Sequence, residues 1–322
     1  MKAVVVTEYG GPDVLRLVDV PRPEAGPGQI RIRVHAATVN PADTVLRAGE
    51  LAHVLEAGPL QPPHIPGMEA AGVVDQIGPG ARTDLSVGDR VMAIVSPVEA
   101  TGGAYAEHLV VAPDQVTRAP AGTTHAEAAT LPMNGLTARL ALDMLELGEG
   151  ETIAVTGAAG AVGGYAVQLA KADGLYVIAD AAERDQELVE ELGADVVVTR
   201  GPDVGRHIRQ FWPEGVAAVI DGSLQGVDVV PAIRDGGQLA SVRSWLLQGV
   251  SGLGEERGIK VRAVHVGEYT HARDRLDGLR RLAEEGRLTL RVARTYPAAQ
   301  AAQAHRDLEA GGVRGRLVLI FD

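Results

Sequence analysis

The 322-residue chain contains no cysteine. That removes disulfides, thiol nucleophiles and thiolate metal sites together. Aromatic side chains are scarce, with two Phe, two Trp and six Tyr, so a ligand pocket has to rely on aliphatic walls. No stretch approaches the roughly 18 uninterrupted apolar residues that a membrane helix needs. Met1-Lys2 runs directly into the strand-like Ala3-Val4-Val5-Val6-Thr7, without the longer apolar core and small-residue cleavage site of a secretion signal. The expectation is a cytoplasmic protein with no membrane association. Basic residues are outnumbered, 30 Lys and Arg against 42 Asp and Glu, for a net charge of −12. This balance argues against a nucleic-acid partner, which needs a concentrated basic stripe. The Arg-rich stretch from Arg273 to Arg287 is interleaved with Asp274, Asp277, Glu284 and Glu285 and reads as a solvated helix face.

What is present is an ordinary globular composition, 46% hydrophobic and 22% charged. A chain of this length exceeds what one hydrophobic core usually supports, which predicts two domains. The first ~120 residues carry short β-branched runs at 4–7, 29–36, 71–77, 90–95 and 107–111, separated by Gly/Pro turns, and predict a compact, mostly β lobe. After Pro120 helical stretches alternate with apolar strands at 151–156, 175–180, 195–199, 216–221, 237–242 and 260–264. Six such strands predict βαβ units in a doubly wound parallel sheet. The tail returns to isolated strands at 288–294 and 315–321 around a helix at 298–310, and is expected to rejoin the first lobe.

The run Gly157-Ala158-Ala159-Gly160-Ala161-Val162-Gly163 follows the strand Thr152 to Thr156 without a gap. Val162, Ala166, Leu169 and Ala170 then share one helical face. Gly160 and Gly163 take the second and third positions of G-x-G-x-x-G, with Ala158 at the first. The second glycine lets a pyrophosphate approach the backbone, and the third lets helix and strand pack closely. Free amides and the helix dipole favour the phosphates there. No Lys-Ser or Lys-Thr closes the run, so it is not a P-loop. Asp180, ending the next strand, stands where an acid accepts from a ribose 2′-hydroxyl and points to NAD(H). Arg184 and Arg200 are suited to a 2′-phosphate and point to NADP(H).

Several further segments occur in one order along the whole chain: Asn40-Pro41-Ala42-Asp43, Pro66-Gly67-Met68-Glu69-Ala70-Ala71-Gly72, Gly88-Asp89-Arg90-Val91, Gly103-Ala104-Tyr105-Ala106-Glu107, Leu136-Thr137-Ala138 and Gly157 to Lys171. Together they resemble the medium-chain dehydrogenase/reductase superfamily and, within it, the zinc-free quinone oxidoreductases related to zeta-crystallin. The resemblance implies an α/β chain: a GroES-like, mostly β catalytic domain from 1–122 and 266–322, a Rossmann dinucleotide-binding domain at 123–265, and an active site in the cleft between them. It also implies a homodimer paired through the edge strand at 260–264.

In zinc-containing relatives a Cys, a His and a later Cys hold the catalytic metal; the matching places here are Asn40, Met68 and Met133. None is a zinc ligand, so no metal is expected. His35, His53, His64 and His108 form no close pair with a carboxylate at ligand spacing. The implied chemistry is hydride transfer from NAD(P)H to an already electron-poor small molecule, a quinone or an α,β-unsaturated carbonyl compound. Asn40 serves either as a donor to the developing oxyanion or as the turn opener before Pro41. Thr137 resembles the family threonine near the nicotinamide. Asp221, then Ser241, Val242 and Arg243, then His265 and Val266, stand after the fourth, fifth and sixth parallel strands, where ligands bind in such sheets. NADPH-dependent relatives carry small hydroxyl residues, a Lys and a Tyr where this chain has Ala181-Ala182, Asp185 and Arg200; the family lean is to NADP(H) over NAD(H). No Tyr lies between Asn40 and Pro66 to act as the proton donor of some enoyl reductases. An enoyl reductase for one biosynthetic intermediate, and a cofactor-binding protein without efficient catalysis, are the alternatives.

Overall fold

A computed structural model describes residues 1–50, 63–99, 101–242 and 252–321. The elements run in chain order from β1 (Lys2–Val6), β2 (Leu15–Asp19), β3 (Ile30–Thr38) and α1 (Pro41–Ala48) to β4 (Glu69–Ile77), β5 (Arg90–Ile94), β6 (His108–Val111), β7 (Val116–Arg118), α2 (His125–Ala128) and α3 (Pro132–Leu145). Then come β8 (Thr152–Thr156), α4 (Ala161–Ala172), β9 (Tyr176–Ala181), α5 (Gln186–Glu191), β10 (Val196–Thr199), α6 (Val204–Phe211), β11 (Val216–Asp221), β12 (Ile233–Val242) and β13 (Lys260–Val264). The chain closes with α7 (Arg273–Glu284), β14 (Val292–Pro297), α8 (Ala301–Glu309) and β15 (Arg316–Ile320).

Two compact units result, one of 1–133, 270–284 and 290–322, the other of 134–269 and 285–289. The divisions at Met133/Asn134 and Tyr269/Thr270 differ from the 122/123 and 265/266 boundaries read from the sequence. In the first unit β14-β15-β3-β4-β5-β7 form one sheet, with β6 also on β3, and β1 pairs with β2. The tail does rejoin this lobe, since β15 runs antiparallel to β3 with Leu319 opposite Ala37. Alternate residues of these strands, Ile30, Ile32 and Val34 with Leu317 and Leu319, build its core.

In the second unit the strand order is β10-β9-β8-β11-β12-β13, all parallel. The order reverses between β8 and β11, the switch point at whose carboxyl edge ligands bind in doubly wound sheets. Near-continuous burial of β8 and β11 reflects helices on both faces.

Three readings need correction. The strand expected at 288–294 is β14, starting at Val292; Leu288 and Thr289 belong to the second unit, where the Thr289 N–H donates to Gln168 Oε1 at 3.1 Å. The helix expected from Ala298 opens as a 3₁₀ turn at Ala298–Gln300 before α8. β2 and β7 had no counterpart in the sequence reading. Only Leu15 of β2 is buried and β7 has three residues, so neither carries an alternating pattern. No described helix is long and apolar enough to cross a membrane.

Candidate functional site

In the second unit, β8 delivers the chain into the glycine turn. Gly157 has φ +69°, a conformation that disfavours side chains. A Cβ at Gly163 would lie 2.2 Å from the Gly157 carbonyl oxygen, so only glycine closes this turn against the helix. Gly160 caps α4 in extended conformation, leaving the first amides of a 12-residue helix directed at the turn. Ala159 is buried, while Ala161 and Val162 are half-buried on the first turn of α4. This cradle fits a pyrophosphate and leaves no room for larger residues.

Asp180, at the end of β9, is buried, and its carboxylate is directed under the turn. Gly157 N–H donates to Asp180 Oδ1 at 2.6 Å and Ala158 N–H at 3.3 Å, while Gln225 Nε2 donates to Oδ2 at 3.2 Å. Burial raises its pKa, and the Arg200 charge and the two amides oppose that rise. Arg200 itself is exposed, as is Arg184, whose side chain lies 3.9 Å from Asp185. Asp221 is fully buried and gathers the loop after β11: it accepts from Thr156 Oγ1 at 2.7 Å, Gln225 N–H at 3.1 Å and Gly226 N–H at 2.8 Å.

Asp221 stands in register with Thr156 on one side and Ser241 on the other. Ser241 is 1% exposed, and its Oγ has no hydrogen-bond partner among the described residues, an orphan at the carboxyl edge that a bound cofactor would satisfy. Val242 is buried beside it; His265 is exposed and Val266 half-buried just past β13. Arg243 lies outside the described residues. Thr137 is buried on α3. Two residues of this region escaped the sequence reading. Gln225 sits in a loop with no motif around it. Asn134, buried on α3 one turn before Thr137, has an Nδ2 without a partner among the described residues.

In the first unit, Glu69 gathers Asn40 and Met133, two of the three places that the family resemblance sets against zinc ligands. Asn40 Nδ2 donates to Glu69 Oε1 at 3.3 Å, the Met133 N–H donates to Oε2 at 2.6 Å, and Met68 is its chain neighbour. Arg316 from β15 donates to Glu69 Oε1 at 2.6 Å and to Asn40 Oδ1 at 2.8 Å. Thr38 Oγ1 also donates to Glu69 and accepts from Arg316. Asn40, Glu69, Thr38 and Arg316 are all buried.

Asp43 holds the next layer. Its two oxygens accept from the N–H groups of Asn40 and Gly67, each at 2.9 Å, so it fastens the start of α1 to the segment before β4. Burial pushes its carboxyl up to about 6. The Tyr105 hydroxyl donates to Asp43 Oδ2 at 3.2 Å and lies 3.3 Å from His305 Nε2. Burial, with the Arg47 guanidinium 3.1 Å from its Nδ1, pulls His305 down to about 3. Among the described residues no three His, Asp or Glu side chains cluster so that they could hold a metal ion.

Residues 26–121 match the alcohol dehydrogenase GroES-like domain, and residues 192–319 match the zinc-binding dehydrogenase family. The chain is 38% identical over 205 residues to a chloroplastic quinone-oxidoreductase homolog of Spinacia oleracea, an alignment that spans 62% of this chain and 60% of that relative's length. It is 31% identical to a quinone oxidoreductase of Pseudomonas aeruginosa, with 99% of both chains covered. A mycobacterial structure in complex with NADPH superposes with a TM-score of 0.86 at 31% identity, covering 100% of both chains. By the nearly full-length kinship with the Pseudomonas protein, and by the two matched domains, the chain belongs to the quinone oxidoreductase family of the medium-chain dehydrogenase/reductase superfamily and is an oxidoreductase.

Proposed function

We propose that the protein is an NAD(P)H-dependent, zinc-independent reductase of quinones or α,β-unsaturated carbonyl compounds, that it favours NADP(H) over NAD(H), and that it works as a cytoplasmic homodimer. The observation that carries the reading is the glycine turn at the switch point of a 3-2-1-4-5-6 parallel sheet, where a Cβ on Gly163 would strike the Gly157 carbonyl. When bound, the dinucleotide supplies the hydride. The amides of the turn and the start of α4 hold its pyrophosphate.

NADP(H) is favoured because the Asp180 carboxylate, which would otherwise accept from a 2′-hydroxyl, is engaged by Gly157, Ala158 and Gln225. Arg184 and Arg200 stay exposed for a 2′-phosphate. Ser241 and Thr137 serve the other half of the cofactor.

Zinc independence rests on donor chemistry. A carboxamide and two thioethers stand where zinc would need thiolate and imidazole. Glu69, among them, already accepts from Arg316, Thr38, Asn40 and Met133. With no Lewis acid to polarise an alcohol, acceptors that are already electron-poor are the ones reduced. Asn40 is the proposed oxyanion donor: its 3.3 and 3.5 Å bonds are the longest of the cluster and the most readily exchanged for a substrate oxygen. The homodimer is assigned to β13, the terminal strand of the described sheet, because such an edge invites pairing.

The test follows the loss of reduced-nicotinamide absorbance with 1,4-benzoquinone and with a simple enone, each in chelator-treated buffer. Turnover with at least one acceptor class, undiminished by the chelator, is expected. No turnover with either class overturns the activity, and a chelator-sensitive rate restored by zinc overturns zinc independence.

A further inference from the structure

The carboxyl edge of the parallel sheet carries two loops that flank the switch point, the glycine turn after β8 and the segment 222–226 after β11. A line of hydrogen bonds joins them. Asp180 Oδ1 accepts from Gly157 N–H at 2.6 Å and Ala158 N–H at 3.3 Å. Its Oδ2 accepts from Gln225 Nε2 at 3.2 Å, which also donates to Ser223 Oγ at 3.1 Å. The backbone of Gln225 is in turn held by Asp221, which bonds to Thr156 on β8. Three strands, β9, β8 and β11, are thereby tied together through side chains at their ends.

An acid at the end of the second strand of such a sheet ordinarily reads a ribose hydroxyl. Here Asp180 is 2% exposed. Both of its oxygens already accept, one of them from two backbone amides, and hydrogen bonds to an ionised acceptor are about twice as strong as neutral ones. A carboxylate buried with these partners leaves them only at the cost of orphaning the turn's amides.

We infer that Asp180 and Gln225 are a positioning pair: together they set the glycine turn and the 222–226 loop in the geometry that receives the pyrophosphate. Asp180 therefore governs the affinity for the dinucleotide as a whole, and not the choice between NADH and NADPH. This rests on the dinucleotide reading of the turn. It goes beyond it in removing Asp180 from ribose recognition and in giving a role to Gln225.

Calorimetric titration of the full chain with NADPH and with NADH decides the matter. Asp180→Ala raises both dissociation constants by the same factor, roughly tenfold to a hundredfold for lost charge-assisted bonds, and the NADH/NADPH ratio is unchanged. In turnover the cofactor KM rises while kcat at saturation is retained. Asp180→Asn recovers part of the loss, because its Oδ1 still accepts from both amides while its Nδ2 now faces the donor of Gln225. Gln225→Leu weakens both cofactors by a smaller, equal factor, and combined with Asp180→Asn it costs less than the product of the two. A selective loss of NADH in Asp180→Ala makes Asp180 the ribose acceptor and overturns the inference; so does unchanged affinity for both cofactors. If Asp180→Ala does not fold, the Asp180→Asn and Gln225→Leu variants carry the same decision. A wild-type chain that binds neither cofactor overturns the dinucleotide reading itself, a separate outcome.

Discussion

His305 is a histidine kept neutral by its surroundings, with the Tyr105 hydroxyl on one ring nitrogen and Arg47 on the other. Its pKa falls from 6.5 unfolded to about 3 folded, and that of His125 to about 4, also mainly through burial. Between those values and 6.5 the unfolded chain binds more protons than the native one, so stability rises with pH there and is lost as pH falls below 6.5. Asp43 works the other way. Its carboxyl is raised from 3.8 to about 6, which favours the native state below that window and less so above it. The two histidine shifts together outweigh the single carboxylate, so urea melts from pH 8 to pH 4 should show a net loss of stability in acid. His305→Gln should flatten that acid limb, and should cost about 1–3 kcal/mol at pH 7 by leaving Tyr105 or Arg47 without its partner. An acid limb identical to wild type would show that His305 is not its source. The sequence marked Asn40, Asp43 and Met68 because they fall in motifs, and Met133 through the family resemblance. Arg316 and His305 join them from 247 and 200 positions away from Glu69 and Tyr105, and no local pattern announces such partners.

Elements were legible where packing imposes a period or a glycine. The six parallel strands are apolar runs bounded by turns, and their expected starts and ends lie within a few residues of those observed. β12 differs most, beginning at Ile233 rather than Gly237, because the exposed Arg234, Asp235 and Gly236 interrupt its apolar run. The glycine turn was legible for a stricter reason, since its backbone path excludes other residues. Gly163→Ala tests this. A methyl 2.2 Å from the Gly157 carbonyl must push helix α4 away from the turn, at about 1–3 kcal/mol for overpacking. Dissociation constants for NADPH and NADH should both rise at least about tenfold, with a lower melting midpoint. Unaltered cofactor affinity in Gly163→Ala would mean that the turn does not touch the cofactor.

At the scale of the molecule, the two units have separate hydrophobic cores, one built on β3, β4 and β15 and the other on the parallel sheet. Both tryptophans, Trp212 and Trp245, fall in the 134–269 stretch of the chain. Intrinsic tryptophan fluorescence therefore follows the unit that carries the glycine turn, while the buried Asp43, Tyr105 and His305 belong to the other. A ligand that binds only the native state stabilises it by about 2.7 kcal/mol at a hundred times its dissociation constant. For a domain of roughly 150 residues that corresponds to a shift of about 5–10 °C in the melting midpoint. NADP⁺ at that excess should raise the fluorescence-detected midpoint by this amount. NAD⁺ at the same absolute concentration should raise it less, because Arg184 and Arg200 meet no 2′-phosphate on it. An equal shift for both would leave the dinucleotide site in place and remove the preference for NADP(H). No shift with either would overturn cofactor binding at this turn, since the reporter lies in the unit that holds it.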